Sequence, residues 1–260
     1  MAGLEFFQFP VLSDNYCVLI HSPETGETAA VDAADATTIL AAAKEKGWKL
    51  THLLITHHHW DHTDGLAEIK QQTGCTVIGP KYPGKGKDGP VEGVDTTVGD
   101  GDTFTFAGST VEVLHTPGHT LDMVNYHFPE EKAVFTGDTL FVLGCGRIFE
   151  GEGKMMWENL EKLAALPPET SLYCGHEYTL SNARFAITVD PSNEALKLKL
   201  AEIGAKRERG EPTVPGRIGE ELETNPFLRP ADPAIRKHLG METAKNWEVF
   251  TEIRKRKDNA

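Results

Sequence analysis

The chain has 260 residues, of which 39% are hydrophobic and 25% charged, with a formal net charge of −13. It is long enough to bury a substantial core without disulfide or metal staples, and its composition excludes disorder throughout. The acidic surplus disfavours broad binding to nucleic acid, because phosphate is repelled unless a basic patch overcomes the field locally.

The N-terminal MAGLEFFQFPVLSDNY has no basic region, carries Glu5 in its apolar part and breaks at Pro10, so it resembles neither a signal peptide nor a transit sequence. No apolar run is long enough to cross a bilayer. Strands and helices then alternate: TAAVDA as a strand, ATTILAAAKEKG as a helix, LTHLLIT as a strand, GLAEIKQQTG as a helix and CTVIG as a strand. That order predicts a layered α/β core. YPGKGKDGPVEGVD, residues 82–95, reads as a mobile surface loop. TFTF, STVEVLHT, MVNYHF and KAVFTGD follow as strands with period-2 patterning. KMMWENLEKLAAL is a helix stopped by Pro167 and Pro168, and TSLYCG is a last strand.

After Gly175 the texture changes. YTLSNARFAITV, SNEALKLKLAEIGAKRERG and METAKNWEVFTEIRKRK all suit helices, joined by connectors such as EPTVPG. Two units are therefore expected, a catalytic one over residues 1–177 and a helical one over residues 178–260. Cys17, Cys75, Cys145 and Cys174 form no CxxC pair, which fits reduced thiols and a cytoplasmic protein. Cys174 is expected to be a buried strand thiol rather than a nucleophile.

The densest chemistry lies in LLITHHHWDHTDG, Leu53 to Gly65, which holds four histidines and two aspartates directly after an apolar run. An imidazole near a strand end and a second at i+2 leave one turn together, with Asp61 and His62 opening the next helix. Neutral imidazole and carboxylate together suit zinc and its neighbours, and an aspartate near an imidazole can also set its tautomer. One cluster cannot close a site. His119 in HTPGHT, Asp138 in VFTGDTL and His176 in LYCGHEY each follow an apolar strand in a Gly-containing turn, where they can converge on one edge.

With THHHWDH, TPGHT, FTGDTLFVLGCGRIFEG, YCGHEYT and TNPFLR, the sequence resembles the metallo-β-lactamase superfamily and, within it, the glyoxalase II family of hydroxyacylglutathione hydrolases, along nearly the whole chain. The resemblance implies an αββα sandwich with a C-terminal helical domain and a binuclear metal centre at one edge. It implies His57, His59 and His119 on one ion, Asp61, His62 and His176 on the other, and Asp138 bridging them, with Asp61 and Asp138 as the catalytic carboxylates. Zinc is the first expectation for both ions, iron or manganese the alternatives. Because most of these ligands are neutral, two dications would keep enough charge to acidify a shared water and polarise a carbonyl.

A thiolate, with a conjugate acid near pKa ~8.5, leaves without prior protonation, whereas an amine needs a donor. The motifs contain no dedicated acid, which favours a thioester. The resemblance implies hydrolysis of S-D-lactoylglutathione and related S-(2-hydroxyacyl)glutathiones, the second step of methylglyoxal detoxification, by a monomer without nucleic-acid or membrane partners. A persulfide dioxygenase using one iron, or another hydrolase of the superfamily, is the alternative. A non-catalytic member is expected to have lost ligands, and here every position is filled.

Glutathione carries two carboxylates, so an acidic enzyme needs local cations to hold it. RKRK, Arg254 to Lys257, would by itself be a helix end complementing the macrodipole. By resemblance Arg254 and Lys257 meet the glycine carboxylate, with Arg147, Tyr178 and Asn182 adding contacts. Arg147 replaces a common Lys and Phe149 a common Tyr, so Phe149 is expected to keep a backbone-type contact but no hydroxyl. His58 is expected to face away from the ions, His115 to sit on its strand without ligating, Asp64 to be a first-turn helix acid, and Trp60 to serve packing.

Overall fold

In the computed structural model, which describes residues 3–260, two six-stranded sheets face each other between layers of helices. The first sheet runs in chain order, β1 (Glu5–Val11), β2 (Asn15–His21), β3 (Thr28–Val31), β4 (His52–Leu54), β5 (Thr76–Pro80) and β6 (Thr96–Val98), antiparallel through β3 and parallel after it. Pro10 is tolerated in β1 because that strand is the sheet's edge. Helices α1 (Ala36–Lys46), α2 (Trp60–Thr63) and α3 (Leu66–Thr73) fill the crossovers. Asp35 caps α1 by accepting from Thr38 N at 2.7 Å, and Gly47 closes it at φ 71°.

The second sheet contains β7 (Thr103–Phe106), β8 (Ser109–His115), β9 (Val124–Phe128) and β10 (Ala133–Gly137). A small hairpin, β11 (Leu140–Phe141) and β12 (Gly144–Cys145), and helix α4 (Gly153–Ala164) come next. Then β13 (Ser171–Cys174) and β14 (Gly216–Arg217) complete the sheet in the order β14-β13-β10-β9-β8-β7. The remaining helices are α5 (Thr179–Val189), α6 (Glu194–Glu208), α7 (Ile218–Thr224), a 3-10 turn at Pro226–Leu228, α8 (Pro233–Leu239) and α9 (Asn246–Asp258).

Strand alternation builds the layers. Val18, Ile20, Val31 and Leu54 of the first sheet meet Val113, Val124, Tyr126 and Phe135 of the second between the sheets. Cys17, Leu19 and Leu53 point the other way, onto Ile39 of α1 and Leu66 and Ile69 of α3. On the far side Val134 and Leu172 join Trp157 and Leu160 of α4 with Phe185, Phe227 and Phe250. The αββα expectation holds, and the C-terminal helices share one apolar layer with α4 and the second sheet.

The N-terminal hairpin was not legible as strands. The last helix starts at Asn246 rather than Met241, because the Glu248 carboxylate accepts the Lys245 N–H at 2.7 Å and begins the helix there. Residues 82–95 form no helix or strand. Instead of hanging free, this segment packs Val91 and Val94 on the first helical layer and donates Lys85 N–H to Glu150 at 3.0 Å. All four cysteines are buried and unpaired, and burial pushes the Cys174 thiol up to about 12, as a strand thiol requires.

Candidate metal centre

The ends of β3, β4, β8, β10 and β13 lie along one rim of the sandwich, and the chain leaving each delivers a polar side chain there. His57, His59, Asp61 and His62 follow β4, His119 lies between β8 and β9, Asp138 follows β10 and His176 follows β13. These seven side chains converge: one ligand atom from each of His57, His59 and His119 lies within 4.8 Å of the others, as do those of His57, His62 and Asp138, and those of Asp61, His62 and His176. Asp138 stands between the groups, with Oδ2 3.4 Å from His119 Nε2 and 3.3 Å from His176 Nε2, and Oδ1 3.4 Å from His62 Nε2. Gly175 permits this approach, since a Cβ there would fall 2.6 Å from Asp138 Oδ1 and 2.9 Å from the His62 ring.

Four of the five imidazoles have their Nδ1 fixed as a donor. The Arg147 carbonyl can only accept, so His119 Nδ1 donates to it at 2.9 Å and Nε2 keeps its lone pair. Carboxylates do the same for His62 Nδ1, 2.7 Å from Asp32, and His176 Nδ1, 3.0 Å from Asp14. Thr56 gives its hydroxyl hydrogen to Asp32, so its oxygen is left to accept from His57 Nδ1 at 3.0 Å. His59 turns Nδ1 inward, 3.0 Å from His119 Nε2.

The donor set fits a divalent ion in each half. Two nitrogens on one tetrahedral zinc at 2.0–2.1 Å stand about 3.3 Å apart. The facing atoms here are separated by 3.0 to 3.6 Å. His57 Nε2 and Asp138 Oδ1 are buried without a hydrogen-bond partner, which would be costly unless a cation meets them.

Charge divides the rim into two halves. Burial, reinforced by neighbouring imidazoles, holds His57 well below its ordinary value and His59 at about 4, and burial also lowers His119. These three stay neutral and offer lone pairs. Burial opposes protonation of His62 as well, but Asp138 and then Asp32 outweigh it and push His62 up to about 9. His176 is likewise raised by Asp138 against the effect of burial. Burial would raise Asp138, yet His176 and His62 hold it well below the carboxylate range.

The expected substrate contacts divide into two kinds. Arg147 is exposed, with Nε 3.6 Å from Asp258, and Phe149 is 57% exposed with its ring centroid 5.2 Å from His119 and 5.8 Å from His59. Tyr178 stacks on His176 at 4.7 Å and 2°, and Lys257 lies at the surface with Nζ 3.1 Å from Ser181 Oγ. Arg254 and Asn182, in contrast, are buried. Arg254 donates to the Cys145 carbonyl at 2.8 Å and to Asp258 at 2.9 Å, and Asn182 donates to Val142 O at 3.1 Å, so both hold the wall of the site in this structure. The Phe149 N–H is also committed, to His119 O at 3.2 Å, which leaves only its carbonyl for a backbone contact.

Three further readings are settled by position. His115 ends β8, where its Nε2 donates to Leu121 O at 2.8 Å, outside the cluster. Asp64 closes the short helix α2 instead of opening a helix, because α3 starts only at Leu66. Trp60 is 64% exposed, so it does not pack; its place at the first position of α2 turns the indole to solvent beside the ligands. The residues that sequence reasoning missed are those that aim the imidazoles. Asp32, at φ 62°, also accepts Thr56 N–H at 2.8 Å, and Asn15 donates to Asp61 Oδ2 at 3.2 Å. Only the polar ends of TAAVD and LSDN hinted at them.

Two family descriptions match the chain. "Metallo-beta-lactamase superfamily" covers residues 13–176 and "Hydroxyacylglutathione hydrolase C-terminus" covers residues 177–260. The chain is 55% identical to a hydroxyacylglutathione hydrolase of Rhizobium etli over the full length of both, and 49% identical to one of Methylococcus capsulatus over 98% of each. Among solved structures it is similar to ETHE1 from Myxococcus xanthus, 26% identical with a TM-score of 0.68 over 96% of this chain and 90% of that one. The BLEG-1 B3 metallo-beta-lactamase, 20% identical with a TM-score of 0.65 over 86% and 100% of the two chains, shares the fold.

Proposed function

The chain belongs to the hydroxyacylglutathione hydrolases of the metallo-beta-lactamase superfamily, and from that premise we propose that it hydrolyses S-(2-hydroxyacyl)glutathione, S-D-lactoylglutathione above all, to glutathione and a 2-hydroxy acid. The rim is a divalent metal site. We assign His57, His59 and His119 to one zinc ion and Asp61, His62 and His176 to a second, with Asp138 serving both. The observation that carries this reading is the set of four imidazoles whose Nδ1 atoms are occupied by acceptors, so that four Nε2 atoms are turned toward one carboxylate.

When bound, the ion pair supplies Lewis acidity, lowering the pKa of a water and polarising the thioester carbonyl. The protein's own contribution is placement. Asp32, Asp14 and Thr56 hold the imidazoles in their donating tautomers, and Asn15 steadies Asp61. Arg147, exposed, and Lys257, half-buried, supply cations toward which the carboxylates of glutathione are drawn on an otherwise acidic surface. Phe149 and Tyr178 flank the opening with apolar ring faces, and burial keeps the Tyr178 phenol protonated, as a donor. The departing thiolate needs no protein acid.

In this reading residues 1–177 carry the chemistry and residues 178–260 the thiol side of the substrate. The test is turnover of S-D-lactoylglutathione by purified, zinc-loaded protein beside a His59→Ala control. Expected is turnover by the wild type, two zinc equivalents per chain, and loss of roughly 100-fold or more in the control. No turnover above that control sinks the assignment. One tightly held iron with oxygen consumption would replace it by the dioxygenase reading.

A further inference from the structure

His58 sits between two proposed ligands, His57 and His59, but its side chain leaves the centre and enters a separate polar cluster. Its Nδ1 is 2.9 Å from Oδ1 of Asp122, which is buried, and its Nε2 faces Glu150 Oε1 at 3.4 Å. The two carboxylates address opposite nitrogens of one ring, an arrangement suited to holding an imidazole from both ends rather than to chelating a cation.

The same carboxylates reach further. Glu150 Oε2 accepts the N–H of Leu121 at 2.7 Å and that of Lys85 at 3.0 Å. Backbone bonds run alongside, from Phe149 N to His119 O at 3.2 Å and from Gly151 N to Gly118 O at 3.1 Å. Gly84 lies against the His58 ring so closely that a Cβ would fall 2.3 Å from it. Every one of these ties ends on the segments that carry His59 or His119, or on the 82–95 segment covering them. The ties that orient His62 and His176, by contrast, come from Asp32 and Asp14.

We propose that His58, braced by Asp122 and Glu150, is a positioning residue for the ion held by His57, His59 and His119, and sets that ion's affinity independently of the second. This rests on the two-ion reading above. A side chain that only filled space would support overall stability and leave the two affinities in their original ratio. A brace on one ligand set separates them.

The experiment is zinc competition against a calibrated chelator on wild type, His58→Ala, His58→Gln and Glu150→Gln, with melting of each metal-free protein in parallel. Glu150→Gln keeps the ring and an oxygen for the Leu121 and Lys85 amides, so it tests the brace even if His58→Ala folds poorly. Wild type should hold two tight equivalents. In His58→Ala and Glu150→Gln one equivalent should weaken by about 10- to 100-fold, the range for partners that orient ligands, while the other stays unchanged. His58→Gln, which can still reach Asp122, should recover part of the loss. Two unchanged equivalents, or equal weakening of both, overturns the proposal, whatever happens to the melting temperature. A wild type holding fewer than two equivalents sinks the two-ion reading first, and this inference with it.

Discussion

Replacing Asp32 with Asn changes the least volume for the largest expected effect on the centre. Asp32 takes three donors at once: Thr56 N–H at 2.8 Å, Thr56 Oγ1–H at 2.9 Å and His62 Nδ1–H at 2.7 Å. Its backbone is at φ 62°, a conformation that Asn tolerates better than Ala, so the amide variant tests charge and hydrogen bonding without added strain. In Asp32→Asn the single carbonyl oxygen stays with the two Thr56 donors, and the amide N–H2 turns to His62. It then donates to Nδ1, so the proton moves to Nε2 and points at the ion. The lone pair is lost while the ring stays in place.

The expected loss is about 10- to 100-fold in affinity for the ion at Asp61, His62 and His176, or about 1.4 to 2.7 kcal/mol. The fold should lose far less, about 1 kcal/mol for one weakened hydrogen bond, or roughly 2–4 °C in the melting temperature of the metal-free protein. Zinc competition with a chelator measures the first and calorimetry the second. Two wild-type affinities in Asp32→Asn, to within about twofold, would refute the tautomer argument.

Gly175→Ala should displace Asp138 and His62, since its Cβ would come 2.6 Å and 2.9 Å from them; a shift near 1 Å corresponds to about a 100-fold loss of kcat, and a near-native rate would show that the rim yields cheaply. Arg147→Ala should raise KM for a glutathione thioester by about 2- to 5-fold, the worth of one exposed ion pair, with kcat unchanged; a fall in kcat instead would place Arg147 in the reacting geometry. Asp35→Ala should cost about 1 kcal/mol at neutral pH by removing the α1 cap. Because its hydrogen bonds to Thr38 lower the folded-state pKa of Asp35, that contribution is complete above the unfolded value near ~4 and disappears as pH falls through the lower folded value. Urea melts of both proteins at neutral and acid pH therefore converge at the acid end, and a gap independent of pH would contradict the cap.

What the amino-acid sequence determined by itself was local. Period-2 and helical patterning delimited most of the elements between β3 and α6, and the spacing in THHHWDH, with His119, Asp138 and His176 at strand ends, marked the ligands because each depends on the few residues around it. Which partners aim those ligands was decided only by tertiary structure. Asp32 reaches His62 across 30 positions and Asp14 reaches His176 across 162, and a lone aspartate after a strand carries no mark of so distant a contact. The same holds for the cations. Arg254 and Lys257 sit in one run of charge, yet the first is buried against the Cys145 carbonyl and the second lies at the surface, since α9 turns Arg254 inward with Val249, Phe250 and Ile253. A side chain's type travels with the sequence, but its free hydrogen-bonding valence depends on what the fold sets against it.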